Sequence, residues 1–200
     1  MIFQINRCLR LKRIEKDEFY SPMPAIMSLI LIVSIIGCVI FTVLYKQLNS
    51  CWLYSCAITF GMFSYHIIIR FISPVILQLI FRKKYNYKSK WFKTNSWERK
   101  LYQILKIKKW KVHVMTYNPK EFSFKLNSPQ EIVNNMCHAE VVHELIMVLS
   151  FTSILFAISF GSFVVFLITS ILAALVDSIF VMIQRYNRPR IVKIVEKTRI

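Results

Sequence analysis

From Leu145 to Val176 the chain carries no charged residue. A bilayer core takes roughly 20 apolar residues of helix, so this run is too long for one ordinary span. Ser159-Phe160-Gly161-Ser162 is the natural place to turn. The expected spans lie near Val141–Ser159 and Ser162–Ile183, and whether the hairpin crosses fully or is re-entrant, both its ends stay on one side. Two more uncharged stretches precede it, Ser21 to Tyr45 and Cys51 to about Ile69, joined by a short turn over Lys46–Ser50. Arg70 ends the second stretch. Pro74 is expected to kink the chain beyond it, so Phe71–Phe81 either extends the helix or lies at the interface.

A secretory signal peptide is the rival reading of the first stretch, because a basic leader precedes it. The run is too long for such a segment, and no small-residue cleavage site comes after it. Ile35-Ile36-Gly37-Cys38 is a poor lipidation box, since apolar residues continue beyond it. The chain is 56% hydrophobic and 18% charged, and the two classes are segregated along it rather than interspersed. The sequence therefore predicts an all-α polytopic membrane protein of about four transmembrane helices with a cytoplasmic amphipathic helix. The chain divides into three sections: 1–81, a basic leader and first hairpin; 82–138, a basic cytoplasmic segment; and 139–200, a second hairpin with a polar site and a basic tail.

Orientation is set by where the cations lie. Residues 1–20, 82–139 and 185–200 are rich in Lys and Arg, whereas 46–50 and 159–162 hold only Lys46. Four spans bring the three basic segments together, which the positive-inside rule places in the cytoplasm with both termini. The net charge of +17 has the same cause. Nucleic-acid binding is an alternative, because Lys and Arg interleave with aromatics from Arg82 to Lys111. Contact with anionic lipid headgroups accounts for the same pattern in a membrane chain, so no nucleic acid is expected.

Within the basic segment, Trp97 to Lys111 reads as one amphipathic helix. Asn95 caps it, with Glu98 three residues into the helix as in a capping box. Trp97, Leu101, Ile104, Leu105 and Lys108 fall on one face, and Trp91, Trp97, Tyr102 and Trp110 suit the headgroup layer. Cys8, Cys38, Cys51, Cys56 and Cys137 are odd in number and lack metal-ligand spacing.

Chemistry is expected where polar side chains enter the membrane. The first such place is Cys137-His138-Ala139-Glu140-Val141-Val142-His143-Glu144. At 3.6 residues per turn, Glu140, His143 and Glu144 share an arc of about 100°. Two acids and an imidazole on one face of a membrane helix are costly unless they face the bundle interior. The plain alternative is a helix end hydrated by headgroups. A metal site fits poorly: the two His are five apart on different faces, and a second Glu-x-x-His pair is absent. Acid–base work fits better, an acid orienting an imidazole that takes a proton from a hydroxyl.

The second place is Gln184-Arg185-Tyr186-Asn187-Arg188-Pro189-Arg190, after the fourth span. Three Arg and an Asn around a rigid Pro suit bidentate capture of phosphate or carboxylate. A simple positive stop needs no Gln, Tyr, Asn or Pro. Asp177 lies about two turns earlier inside the span, facing Arg70 or His66, either as a buried partner charge or as part of the site.

Ala139-Glu140-x-x-His143 followed, after one apolar hairpin, by Gln184-Arg185-Tyr186-Asn187-Arg188-Pro189-Arg190 resembles the glycosyl-4,4'-diaponeurosporenoate acyltransferase family. Trp97-Glu98 and Ile107-Lys108-Lys109-Trp110-Lys111 resemble it too, so the likeness spans about 91–190. Glu144, Asp177 and Ile179 depart from it, standing where an aromatic, Asn and Pro are expected. The resemblance implies a bacterial membrane acyltransferase that esterifies a fatty acyl group onto the sugar of a glycosylated carotenoid. With it come His143, Glu140 and Asn187 as catalytic residues. Gln184, Arg185, Tyr186, Arg188, Arg190, Glu144, Asp177, Trp97 and Trp110 become substrate-binding residues. The cosubstrate is then acyl-CoA, with no bound cofactor or metal. In the expected mechanism His143, oriented by Glu140, deprotonates the acceptor hydroxyl, the Arg cluster holds the donor phosphates, and Asn187 or an Arg stabilises the oxyanion. The partners are a membrane glycolipid and anionic headgroups. The same groups would serve another lipid or a lipidated peptide as acceptor, and a different class of reading is a non-catalytic membrane subunit or lipid-binding scaffold.

Overall fold

The computed structural model describes residues 20–82 and 84–198. The basic leader, Lys83 and the last two residues lie outside the described residues. All regular structure among them is helical. The long helices are α1 (Met23–Leu48), α2 (Cys51–Phe81), α5 (Pro129–Thr152) and α7 (Phe163–Thr198), with short α3 (Ser96–Ile104) and α4 (Ile107–Trp110) between α2 and α5. A 3₁₀ turn at Ser153–Phe156 and then α6 (Ala157–Phe160) prolong α5 to the hairpin turn. Four of these helical stretches are long and apolar enough to cross a membrane. Leu29, Ile32, Val33 and Ile36 of α1 are each more than half exposed. In water such a face would be an interaction patch; in lipid it is the ordinary outer surface.

Helix pairing relies on small residues and on hydroxyls that bond backbone carbonyls. A Cβ on Gly37 would stand 2.7 Å from the Phe60 ring, so only glycine lets α2 press Phe60 onto α1. Phe60 then stacks on Phe41 at 5.4 Å. Between α5 and α7, the buried hydroxyls of Ser153 and Ser170 meet at 2.8 Å. Small polar side chains of this kind draw membrane helices together where lipid gives no hydrophobic drive. Tyr54 Oη donates to the Phe160 carbonyl at 2.9 Å, and Tyr65 Oη to the Leu149 carbonyl at 2.8 Å. These bonds pin α2 to the far end of the third span.

One open alternative is decided and one expectation changes in detail. Phe71–Phe81 extends the helix, since α2 continues through Pro74. Ile69 and Leu77, on either side of the proline, both pack against Val142 and Ile146 of α5, so burial outweighs the one lost backbone bond. The third span starts at Pro129, well before Val141, with Ser128 and Glu131 forming its capping box. The turn of the last hairpin falls at Gly161 and Ser162, with φ of 66° and 51°, within the four residues that the sequence marks for it.

The segment after the fourth span is helical. Helix α7 carries Gln184–Arg190 within it and runs past Pro189 to Thr198. Its end is held by an apolar cluster of Phe92, Val133, Cys137 and Val195. The amphipathic helix expected over Trp97–Lys111 is broken at Lys106, whose φ is 50°. The break lets Ile107 turn fully inward, while Trp110 Nε1 donates to the Leu105 carbonyl at 2.9 Å. The outward face of Trp97, Leu101, Ile104 and Leu105 is exposed as the spacing predicts.

Candidate active site

Polar residues on α5 and α7 gather at three levels. The deepest holds His143 and Asp177. His143 Nδ1 lies 2.8 Å from Asp177 Oδ1, and Asp177 also pairs with Arg70 of α2. The imidazole stacks on Phe180 at 4.6 Å, with the rings 8° from parallel. Asp177 is fully buried, so it fixes the ring from below while Phe180 fixes its face. With Nδ1–H donated to the carboxylate, Nε2 keeps its lone pair, which is the tautomer a base needs.

The middle level is an ion network. Glu140 is fully buried and receives Arg185 Nε at 2.8 Å on one oxygen and the Arg188 guanidinium on the other. Arg185 reaches on to Glu98 of α3 and to the Trp91 carbonyl, and Arg188 to the Phe92 carbonyl. Both arginines therefore direct their charge inside the protein, tying α3 and the loop at 90–92 to the bundle. Asn95 N–H donates to Glu98 at 2.7 Å, so the cap residue of α3 belongs to the same network. Two acids against two cations leave no net charge to bury, which is how such a cluster is tolerated.

The outermost level is Lys111, Tyr186, Asn187 and Arg190. Lys111 donates to Asn187 Oδ1 and lies 4.9 Å from the Tyr186 ring centre. Arg190 packs over the same ring at 4.6 Å and donates to its hydroxyl at 2.8 Å. Burial, then Arg190, then Lys108 hold the Lys111 ammonium below the usual lysine range.

A groove of about 230 Å³ opens between α3, α5 and α7. Glu98, Glu144 and Arg185 form its polar end; Leu101, Met147, Val181 and Met182 its apolar one. Met147 lies one turn beyond His143 on the same face of α5, and Val181 one turn beyond Asp177 on α7. Trp91 Nε1 donates to Glu144 at 3.0 Å, on the rim. Among the described residues no three His, Cys, Asp or Glu side chains converge as metal ligands.

A sequence model of the glycosyl-4,4'-diaponeurosporenoate acyltransferase family matches residues 88–197. The chain belongs to that family. It is an acyltransferase on that ground, and the matched stretch includes all three levels except Arg70. No curated protein and no solved structure matches the chain.

For this acyltransferase the structure sorts the sequence candidates into groups. Glu140 engages Arg185 and Arg188, and the acid bonded to His143 is Asp177. Asn187 is ten residues from Asp177 on one continuous helix, a rise of about 15 Å, so it stands away from His143. Gln184 is half-buried, and Trp110 serves the Leu105 carbonyl. Trp97 and Glu144 both line the groove. Glu98 is more than the cap that the sequence suggests, and its being the one acid between Arg82 and Lys111 was a usable signal of that. Lys111 and Phe180 carry no such signal, because only the packing of α3–α4 and α7 brings them in.

Proposed function

We propose that this acyltransferase moves a fatty acyl group from an acyl thioester, such as acyl-CoA, to a sugar hydroxyl of a membrane glycolipid of the glycosylated-carotenoid type. The reaction takes place at the cytoplasmic face of a bacterial cell membrane. The observation that carries the reading is the pair of half-buried His143 and buried Asp177, whose helix neighbours Glu144, Met147, Ser178 and Val181 line a groove that is polar at one end and apolar at the other.

The acyl chain lies along Leu101, Met147, Val181 and Met182, with the thioester at the polar end. His143 Nε2 takes the proton of the acceptor hydroxyl, and Asp177 stabilises the imidazolium. The alkoxide oxygen attacks the thioester carbonyl. Arg185 lines the groove and has two guanidinium N–H groups beyond the three given to Glu140, Glu98 and the Trp91 carbonyl, and with these it meets the oxyanion without leaving its ion pairs, a role worth roughly 3 kcal/mol. Collapse breaks the C–S bond, and the imidazolium returns its proton to the departing thiolate. Arg188 and Glu140 position Arg185, while Asn187, Tyr186 and Arg190 shape the outer mouth. The basic surface meets anionic headgroups.

Lipid extracts from cells with the gene deleted, restored, and restored as His143→Ala test this reading by mass spectrometry. The expected result is loss of one acylated glycolipid on deletion, accumulation of its unacylated precursor, and rescue by the wild type alone. An unchanged profile in all three overturns it.

A further inference from the structure

A second cavity lies outside the site above. It has a volume of about 510 Å³ and is lined by Lys84, Tyr85, Asn86, Tyr87, Lys88, Gln130 and Asn134. Small-molecule sites fall in the range of roughly 300–1,000 Å³. The walls come from the loop after α2 and from the first turns of α5.

Two polar atoms of this cavity's residues are buried without a hydrogen-bond partner among the described residues: the Tyr87 hydroxyl and the Asn134 side-chain oxygen. Buried polar groups are nearly always paired, so a donor and an acceptor left open beside one cavity point to a ligand that completes them. Tyr85 and Tyr87 pack against the cluster of Phe92, Val133, Cys137 and Val195, which holds this wall in place. Tyr85 Oη lies 2.9 Å from His138 Nδ1, and burial pushes its phenol up to about 12, so it stays protonated. Lys84 and Lys88 bring positive charge to an exposed rim.

The cavity also has a defined relation to the reacting centre. Gln130, Asn134 and His138 succeed one another at four-residue steps along one face of α5, and His143 lies further along the same helix. Asn134 is about 13 Å from His143 along the axis and half a turn around it, so the two face opposite sides of α5. A donor whose phosphates sit in this cavity therefore needs a long flexible arm that passes around α5 as well as along it to bring its thioester to His143.

We infer that this cavity holds the phosphorylated nucleoside head of the acyl donor. Lys84 and Lys88 meet the phosphates. The Tyr87 hydroxyl and the Asn134 carboxamide bond the base or the sugar. This leaves Arg185 and Arg188 in their internal ion pairs, where the structure shows them. The inference takes its ligand from the acyltransferase reading, but its test does not depend on turnover.

The full chain in zwitterionic nanodiscs is titrated calorimetrically with adenosine 3′,5′-bisphosphate, an unreactive coenzyme-A head. Parallel arms use inorganic phosphate and nanodiscs containing anionic lipid. Saturable binding is expected, weakened at least tenfold in Lys84→Glu/Lys88→Glu. Tyr87→Phe should weaken it severalfold while leaving the melting temperature of the ligand-free protein unchanged, because that hydroxyl has no partner to lose among the described residues. His143→Ala should bind as the wild type does, so failed transfer by itself leaves this site standing. No binding by the wild type overturns the inference, as does equal binding by the double variant. Equal competition by phosphate or by anionic lipid also overturns it, assigning the cavity to headgroups.

Discussion

His143 and Asp177 lie on different membrane helices, yet Nδ1 and Oδ1 meet at 2.8 Å, and Arg70 on a third helix holds the other carboxylate oxygen. An imidazole so held has one nitrogen committed and one left for a substrate. His143→Ala should lower kcat by about 10²–10⁴-fold, the usual worth of a positioned base. Asp177→Asn should approach that loss while leaving KM for the thioester nearly unchanged, because it favours the wrong tautomer. Steady-state kinetics in nanodiscs decide this; a wild-type rate for Asp177→Asn would remove the dyad from the mechanism.

The Glu140 network makes a stability prediction with an internal control. Arg188 is 2% exposed and Glu140 fully buried. Arg188→Met leaves the two buried acids, Glu140 and Glu98, sharing Arg185 alone, an unbalanced negative charge that should cost about 3–5 kcal/mol. Adding Glu140→Gln should recover most of that, since the unbalanced charge is gone. Unfolding in detergent, followed by tryptophan fluorescence, compares the two; equal destabilisation would mean that Glu140 is not the charge that Arg188 neutralises.

Gly37 predicts a purely steric effect. Gly37→Val drives a side chain into Phe60 and should cost about 1–3 kcal/mol as α1 and α2 separate. Phe60→Ala in the same chain should then be milder than it is alone. A double-mutant cycle of melting temperatures reads the coupling, and strict additivity would show that the two residues do not touch.

The groove predicts chain-length selection. Met182→Trp should fill its apolar end and shift the acyl products toward shorter chains, with little effect on the rate for those short chains. Product mass spectrometry with a mixture of donors provides the check; an unchanged length distribution would place the acyl chain elsewhere.

Tyr102 predicts the alkaline limb of stability. Burial first, and Glu98 next, push its phenol up from 10.0 to about 12. A raised folded-state value means that this contribution is whole below pH 10 and is lost as pH rises toward 12. Tyr102→Phe should flatten the fall in melting temperature across that window, and an unaltered slope would count against a buried phenol there.

The uncharged run Leu145–Val176 and the segregation of cations determined the membrane helices, their number and the Gly161–Ser162 turn, because hydrophobic length and charge bias act locally along the chain. The candidate residues were also visible locally, as acids and imidazole on one arc of α5 and as the Gln184–Arg190 string. Which acid serves His143 was not visible. Glu140 is its neighbour in sequence, but α7 delivers Asp177 to the ring and turns Arg185 and Arg188 onto Glu140. Helix periodicity gives the face a side chain occupies, whereas its partner depends on the rotation and offset of the opposing helix. That offset is set by contacts such as Ser153 with Ser170 and Ile69 with Val142 and Ile146, far from the site in sequence. The same holds for Pro74 and Pro189, which local rules place at bends or ends and which packing keeps inside α2 and α7.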